Sequence, residues 1–114
     1  PTMLSKRFYC TAVALDARRI LVAGGIDENS ATLGATEILD VATMTFAPGP
    51  GMISVRVGCS AVALEGNNPR QGVLVVGGRG FDDQSLNTTE VLDLETMKFS
   101  RGPTMRVARF GCAA

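Results

Sequence analysis

The chain has 114 residues, of which 46% are hydrophobic, so it is long enough for one domain with its own core. Eleven basic residues balance eleven acidic ones, which argues against a nucleic-acid or anionic-membrane partner, because both require a basic face. No apolar run approaches the ~18 residues of a membrane-spanning helix. The chain has no histidine, the commonest metal ligand and general base, and we expect neither a metal site nor a cofactor.

The main feature of the sequence is an internal repeat. The segment from Met3 to Leu15 returns from Met52 to Leu64, and it begins a third time at Met105. One cysteine occupies the same place in each copy, with spacings of 49 and 53 residues. Repetition at this period predicts a repeat architecture, in which a recurring residue is first of all a structural part of the unit.

The repeated cysteines are Cys10, Cys59 and Cys112. Equivalent residues of stacked units lie too far apart for a disulfide, so we expect free thiols. We interpret them as small apolar residues of the core rather than as nucleophiles or metal ligands. Unpaired thiols favour a reducing compartment, and we therefore expect a cytoplasmic protein.

Each full copy contains four short apolar runs that are rich in Val, Ile and Thr and are bounded by Gly, Pro and Asp. Such runs predict β-strands, and none has the length or the period of a helix. We therefore expect an all-β fold with one four-stranded antiparallel sheet per copy. The expected strands are Phe8–Leu15, Ile20–Ala23, Thr36–Val41 and Met44–Phe46 in the first copy, and Val57–Leu64, Val73–Val76, Thr89–Leu94 and Met97–Phe99 in the second.

A glycine pair follows the second strand of each copy, as Gly24-Gly25 and as Gly77-Gly78. We assign these glycines a structural role, because glycine accommodates a positive φ or a close backbone approach without strain. A phosphate-binding loop is the alternative, but neither a lysine nor a helical pattern follows the glycines.

Two carboxylates recur in each third strand, Glu37 with Asp40 and Glu90 with Asp93. Two carboxylates can act as acid and base in glycoside hydrolysis. Residues three apart on a strand point to opposite faces, however, so these pairs cannot flank one bond. We assign them a structural role, with each aspartate opening a tight turn and accepting backbone N–H bonds.

The order of these motifs resembles the Kelch repeat: an apolar strand ending in Gly-Gly, a strand from Thr36 to Asp40, then threonine, an aromatic residue, and proline before methionine. The second copy repeats this order from Leu74 to Met105. The family usually has tryptophan where this chain has Phe46 and Phe99. We expect these rings to fill the same role and to pack between neighbouring blades.

The resemblance implies a Kelch-type β-propeller segment. Blade one spans about residues 3–51, blade two about 52–104, and residues 105–114 supply the first strand of a third blade. Propellers close with about four to eight blades, so the remaining blades are expected in the same parent chain. A ring of three such chains is the alternative, but residues 103–114 repeat residues 1–12, and both ends would compete for one position. We therefore expect a fragment of a larger ring.

Three arginines, Arg7, Arg56 and Arg109, each precede a repeat cysteine by three residues. In the Kelch family, arginines at such positions gather around the central channel and contact acidic peptide segments in some members. Guanidinium groups pair well with carboxylates, so these three are the candidate binding residues. The alternative is structural, because each arginine could pair with Glu37, Glu90 or an acidic loop residue and tie the blades together.

The resemblance implies a protein–protein interaction module, a scaffold or adaptor without enzymatic activity, which presents loops and arginines to a protein partner with an acidic segment. The alternative is part of an enzymatic or sugar-binding propeller whose active residues lie in blades absent from this chain. Copper- and iron-dependent relatives use histidine, which this chain lacks.

Overall fold

The computed structural model describes residues 2–4, 6–64, 72–80 and 84–106. These residues form two four-stranded antiparallel sheets, each with its strands in chain order, which confirms the expected fold class. No helix suited to crossing a membrane occurs in these ranges. The first sheet contains β1 (Thr11–Ala14), β2 (Arg19–Ala23), β3 (Thr36–Asp40) and β4 (Thr45–Pro48), and the second contains β5 (Ser60–Leu64), β6 (Gly72–Val76), β7 (Thr89–Asp93) and β8 (Lys98–Arg101).

The first strand of each sheet is shorter than the sequence predicts. Phe8 pairs with Ile26 through an isolated bridge, and regular pairing resumes only at Thr11. Between them Tyr9 has a φ of 56°, a left-handed conformation that interrupts a strand. Gly58 has a φ of 70° at the equivalent place in the second sheet. The predicted strand is therefore split into a bridge and a four- or five-residue strand.

The hydrophobic core lies between the two sheets. Leu21 and Ala23 of β2 are fully buried and pack in one cluster with Val73 and Val75 of β6. Because side chains alternate across a strand, each sheet places one apolar face against its neighbour. The edge strands β1 and β5 also contact each other. The two units therefore stabilise each other, as expected for stacked repeats. The other buried members of the cluster are Leu15, Met52, Cys59 and Leu92.

Backbone hydrogen bonds join the two sheets at the glycine pair. The N–H of Gly25 donates to the carbonyl of Arg56 at 2.7 Å, and the N–H of Arg56 donates to the carbonyl of Leu33 at 3.0 Å. A Cβ on Gly24 would lie 2.5 Å from the Arg56 oxygen. Gly24 and Gly25 also have positive φ values, 69° and 101°. The pair thus allows the backbone of the second unit to approach the first.

The residue that follows Pro103-Thr104 contacts the second sheet as Met52 contacts the first. The N–H of Met52 donates to the carbonyl of Gly34 at 2.9 Å, and the N–H of Met105 donates to that of Asn87 at 2.7 Å. Residues 107–114, which include Arg109 and Cys112, lie outside the described residues. The strand expected over residues 105–114 and the blade boundaries stay predictions.

The two phenylalanines occupy equivalent places with different surroundings. Phe99 lies opposite Leu92 in the β7–β8 pair and packs against the core between the sheets. Phe46 lies opposite Leu39 in the β3–β4 pair, on the face of the first sheet that points away from the second. Both rings are half-buried.

The turns between the third and fourth strands each place a methionine in the left-handed region. Met44 has a φ of 56° and Met97 a φ of 54°. Glycine and asparagine adopt this conformation more easily than methionine does, so both turns carry backbone strain. Met44 is 47% exposed, whereas Met97 packs against the core.

Replacing Phe99 tests the packing between the sheets. Phe99→Ala is expected to lower the free energy of unfolding by about 3 kcal/mol, because it removes a ring from the shared core. Phe46→Ala is the matched control and is expected to cost less than half as much. Urea unfolding measures both values, and equal losses would contradict the described core.

Replacing Met44 tests the strain in the turn. Met44→Asn is expected to raise the free energy of unfolding by about 1 kcal/mol, because asparagine tolerates a positive φ and the methionine side chain buries little surface. Met97→Asn relieves the same strain but loses core packing, so no net gain is expected there. A loss of stability in Met44→Asn, seen in urea unfolding, would show that the turn is not strained.

Candidate interaction site

The candidate site lies at one end of the two sheets, which we call the arginine end. It contains Arg7, Arg56, the loops that follow β2 and β6, and the segment that joins the sheets. Arg7 reaches the residues on either side of the first of these loops, since its Nη1 donates to the carbonyls of Gly24 and Ala35 at 2.9 Å each. The turns that follow β1 and β3 lie at the opposite end.

Arg56 forms a buried ion pair with Glu90. Its Nε lies 2.9 Å from Glu90 Oε2, and both side chains are only 1% exposed. Its Nη1 donates to the carbonyls of Gly77 and Thr88 at 2.8 and 3.0 Å, and its Nη2 donates to the Thr88 hydroxyl at 3.1 Å. One guanidinium group therefore holds the start of the second unit, both ends of the β6–β7 loop and β7 together.

Both carboxylate oxygens of Glu90 accept hydrogen bonds. The backbone N–H groups of Ile53 and Ser54 donate to its Oε1 and Oε2 at 2.6 and 3.1 Å, in addition to the bond from Arg56. A buried carboxylate is tolerated only when its charge is paired and its oxygens accept hydrogen bonds. Glu90 thus anchors the segment that joins the sheets.

Arg7 and Glu37 repeat this arrangement in the first unit with a different guanidinium contact. Arg7 Nη2 lies 2.7 Å from Glu37 Oε2, and the side chains are 1% and 3% exposed. The N–H of Leu4 donates to Glu37 Oε1 at 2.6 Å. The Nε of Arg7 is buried without a hydrogen-bond partner in the described part of the chain. Ala35 stands where the second unit has Thr88, so the first unit lacks that hydroxyl acceptor.

These contacts fit the alternative in which each arginine pairs with a glutamate and has a structural role. Glu37 and Glu90 already occupy the guanidinium groups of Arg7 and Arg56, and neither arginine side chain reaches solvent to a useful extent. Their contact with an acidic partner stays a prediction, as it does for Arg109, which lies outside the described residues.

The recurring carboxylates are separated within each third strand. Glu37 is buried at the arginine end, whereas Asp40 ends β3 at the opposite end and accepts from the N–H of Ala42 at 2.9 Å. Asp93 likewise accepts from the N–H of Glu95 at 2.8 Å. Desolvation raises the pKa of Asp40, but the backbone N–H bonds from Ala42 and Thr43 and the Arg18 guanidinium together outweigh it and leave the pKa below its ordinary value. The aspartates therefore serve the turns.

The described cysteines are free. Burial raises the pKa of Cys59 to about 11, so its thiol stays protonated at neutral pH and is a poor nucleophile. Cys10 is half-buried. Among the described residues, no group of three or more His, Cys, Asp or Glu side chains is placed to hold a metal ion.

The arginine end exposes four large apolar side chains. Leu4, Phe8, Tyr9 and Ile53 are 57%, 60%, 77% and 45% exposed. Ile53 occupies in the second unit the position of Leu4, and it stays exposed with the first sheet beside it. The sequence analysis did not predict this group. One difference between the copies could have indicated it: Tyr9 stands where the second copy has Gly58.

Comparison with known families agrees with the repeat pattern. Residues 71–106 match the Kelch motif, a segment that covers β6, β7 and β8. The resemblance to Kelch repeats is therefore confirmed over the second unit. No curated protein matches the chain.

Removing Arg56 tests its role as a tie. Arg56→Ala is expected to lower the free energy of unfolding by about 3–5 kcal/mol, because it leaves the Glu90 carboxylate buried without a cation. Arg18→Ala is the control: Arg18 lies 3.5 Å from Asp40 with 67% of its side chain exposed, and less than about 1 kcal/mol is expected. Similar losses in urea unfolding would contradict the buried tie.

Proposed function

We propose that this chain, which carries a Kelch motif and blade-like sheets, is a protein-interaction module whose arginine end contacts a protein partner. Kelch-type propellers commonly mediate protein interaction, and that general role supports the proposal. The observation that carries it is the exposed apolar group at the arginine end: Leu4, Phe8, Tyr9 and Ile53. Aromatic side chains such as those of Phe8 and Tyr9 are enriched in protein interfaces.

The backbone beneath the aromatic pair is fixed. Phe8 exchanges both backbone hydrogen bonds with Ile26, at 2.8 and 2.9 Å, and the Tyr9 carbonyl accepts from the N–H of Gly58 at 3.0 Å. Aromatic side chains on a fixed backbone bind with little loss of conformational entropy, and tyrosine is enriched at binding hot spots. The strained φ of Tyr9 fits a residue retained for contact rather than for stability.

Polar groups lie next to Phe8 in the sequence and next to Ile26, its bridge partner. Lys6 and Glu28 form an exposed ion pair at 3.9 Å. The carboxylate of Asp27 accepts from the N–H groups of Asn29 and Ala31, each at 2.9 Å, and so orders the β2–β3 loop. An apolar centre with a polar rim is the usual composition of a protein interface. Arg7 and Arg56 support the surface from beneath by holding the loops and the joining segment.

Several parts of the proposal extend beyond the two sheets. The hydrogen bond from Met105 to Asn87, which repeats the one from Met52 to Gly34, supports a third unit that continues the ring. The acidic character of the partner, the absence of enzymatic activity and the cytoplasmic location stay predictions of the sequence analysis.

A single substitution separates binding from stability. Tyr9→Gly removes the aromatic side chain, and glycine adopts the positive φ without strain. We therefore expect unchanged or higher stability together with at least tenfold weaker partner capture. The full chain is immobilised, captured proteins are quantified by mass spectrometry, and stability is followed by urea unfolding.

Met44→Asn is the matched control, because it relieves the same kind of strain at the opposite end of the sheet. Proteins that wild type and Met44→Asn capture, and that Tyr9→Gly loses, would support the proposal. Equal capture by all three chains would overturn it.

A further inference from the structure

The two units share the residues of the buried tie, the glycine pair and the turns, so the positions at which they differ beside these are informative. Three such differences meet at one place in the second unit. Thr88, Arg101 and Thr104 stand where the first unit has Ala35, Pro48 and Gly51. Three residues that cannot donate a side-chain hydrogen bond are thus replaced by two hydroxyls and a guanidinium.

These three residues line one cavity of about 40 Å³ at the arginine end of the second sheet. The cavity has room for a small polar group, since a water requires roughly 10–15 Å³. Its wall also contains the shared residues of the Arg56 tie. The residues that line the cavity include Ser54, Arg56, Thr88, Glu90, Arg101 and Thr104.

The described residues that line the cavity carry two arginines and one glutamate. Arg56 and Glu90 neutralise each other at 2.9 Å, and the Glu90 oxygens are occupied by backbone N–H groups. Arg101 ends the exposed strand β8 directly across from Glu90, and no carboxylate among the described residues lies within ion-pair distance of it. Within the described ranges, Arg101 therefore contributes to the wall a guanidinium that no carboxylate pairs.

The hydroxyl groups add donors beside that charge. Thr88 accepts from Arg56 Nη2 through its oxygen, at 3.1 Å, so its own proton can be donated to a ligand. Thr104 is exposed at the mouth of the cavity. An exposed guanidinium flanked by hydroxyl donors suits a carboxylate, which accepts several hydrogen bonds at once.

We infer that this cavity, which we call the Arg101 cleft, binds the carboxylate of an acidic side chain in the protein partner. The inference rests on the proposed function and names a contact for it. The cleft differs from the site expected around Arg7, Arg56 and Arg109, because the group offered to the ligand is the exposed Arg101. The first unit has Pro48 at the equivalent position, and proline offers a carboxylate neither a charge nor a side-chain donor.

The test titrates the isotope-labelled full chain with the capped peptide acetyl-Gly-Glu-Glu-Gly-amide and follows backbone amide NMR signals. We expect saturable shifts at Ser54 and Thr104, and no such shifts with the glutamine version of the peptide. Arg101→Gln is expected to weaken binding about tenfold, the loss of one charge-assisted contact. Lys98→Gln makes the same charge change on β8 away from the cleft and is expected to bind as wild type.

Other outcomes would contradict the inference. Equal weakening by Lys98→Gln would show general charge attraction and would overturn the cleft. Inorganic phosphate or acetate that saturates the same amides as tightly as the peptide would assign the cleft to free small anions instead. Absence of peptide binding alongside intact partner capture would overturn the cleft and leave the interaction function standing. Equal partner capture by wild type, Tyr9→Gly and Met44→Asn, with peptide binding intact, would overturn the proposed surface and leave the cleft standing.

Discussion

The buried ion pair between arginine and glutamate is the interaction on which the arrangement of the arginine end depends. In the second unit Arg56 binds the Glu90 carboxylate and also the carbonyls on either side of the β6–β7 loop. Burying two charges is costly, and the cost is offset only because nearly every polar atom of the pair is hydrogen-bonded. Its gain is positional: one side chain fixes a strand, a loop and the segment that joins two sheets.

The glycine pairs complement this tie at the backbone. The N–H of Gly25 reaches the carbonyl of Arg56, so the residue that supplies the buried side chain also supplies the main-chain contact between the sheets. Any side chain at Gly24 would collide with that carbonyl, at 2.5 Å. Side-chain tie and close backbone approach thus act at the same residue, Arg56.

The repeat also offers an internal reference for function. Positions that agree between units have equivalent roles: Arg7 and Arg56 each pair with a buried glutamate, although through different guanidinium nitrogens. Two of the positions that differ change the exposed surface. Tyr9, where the second unit has Gly58, adds an exposed aromatic ring, and Arg101, where the first unit has Pro48, adds an exposed charge. Departures from the repeat, rather than the repeat itself, distinguish one unit's surface from the other's.

The sequence by itself determined the number, order and antiparallel pairing of the strands, because alternation, turn residues and glycine pairs are local signals that occur twice. It also placed the second unit among Kelch motifs. It did not decide the role of the arginines, since an arginine before a strand suits a solvent-facing cluster and a buried tie equally well. The tertiary structure adds that Glu37 and Glu90 lie beside Arg7 and Arg56 and form buried ion pairs with them. The same holds for Thr88, Arg101 and Thr104, which share one cavity only because β8 returns alongside β7 and aligns Arg101 with Glu90.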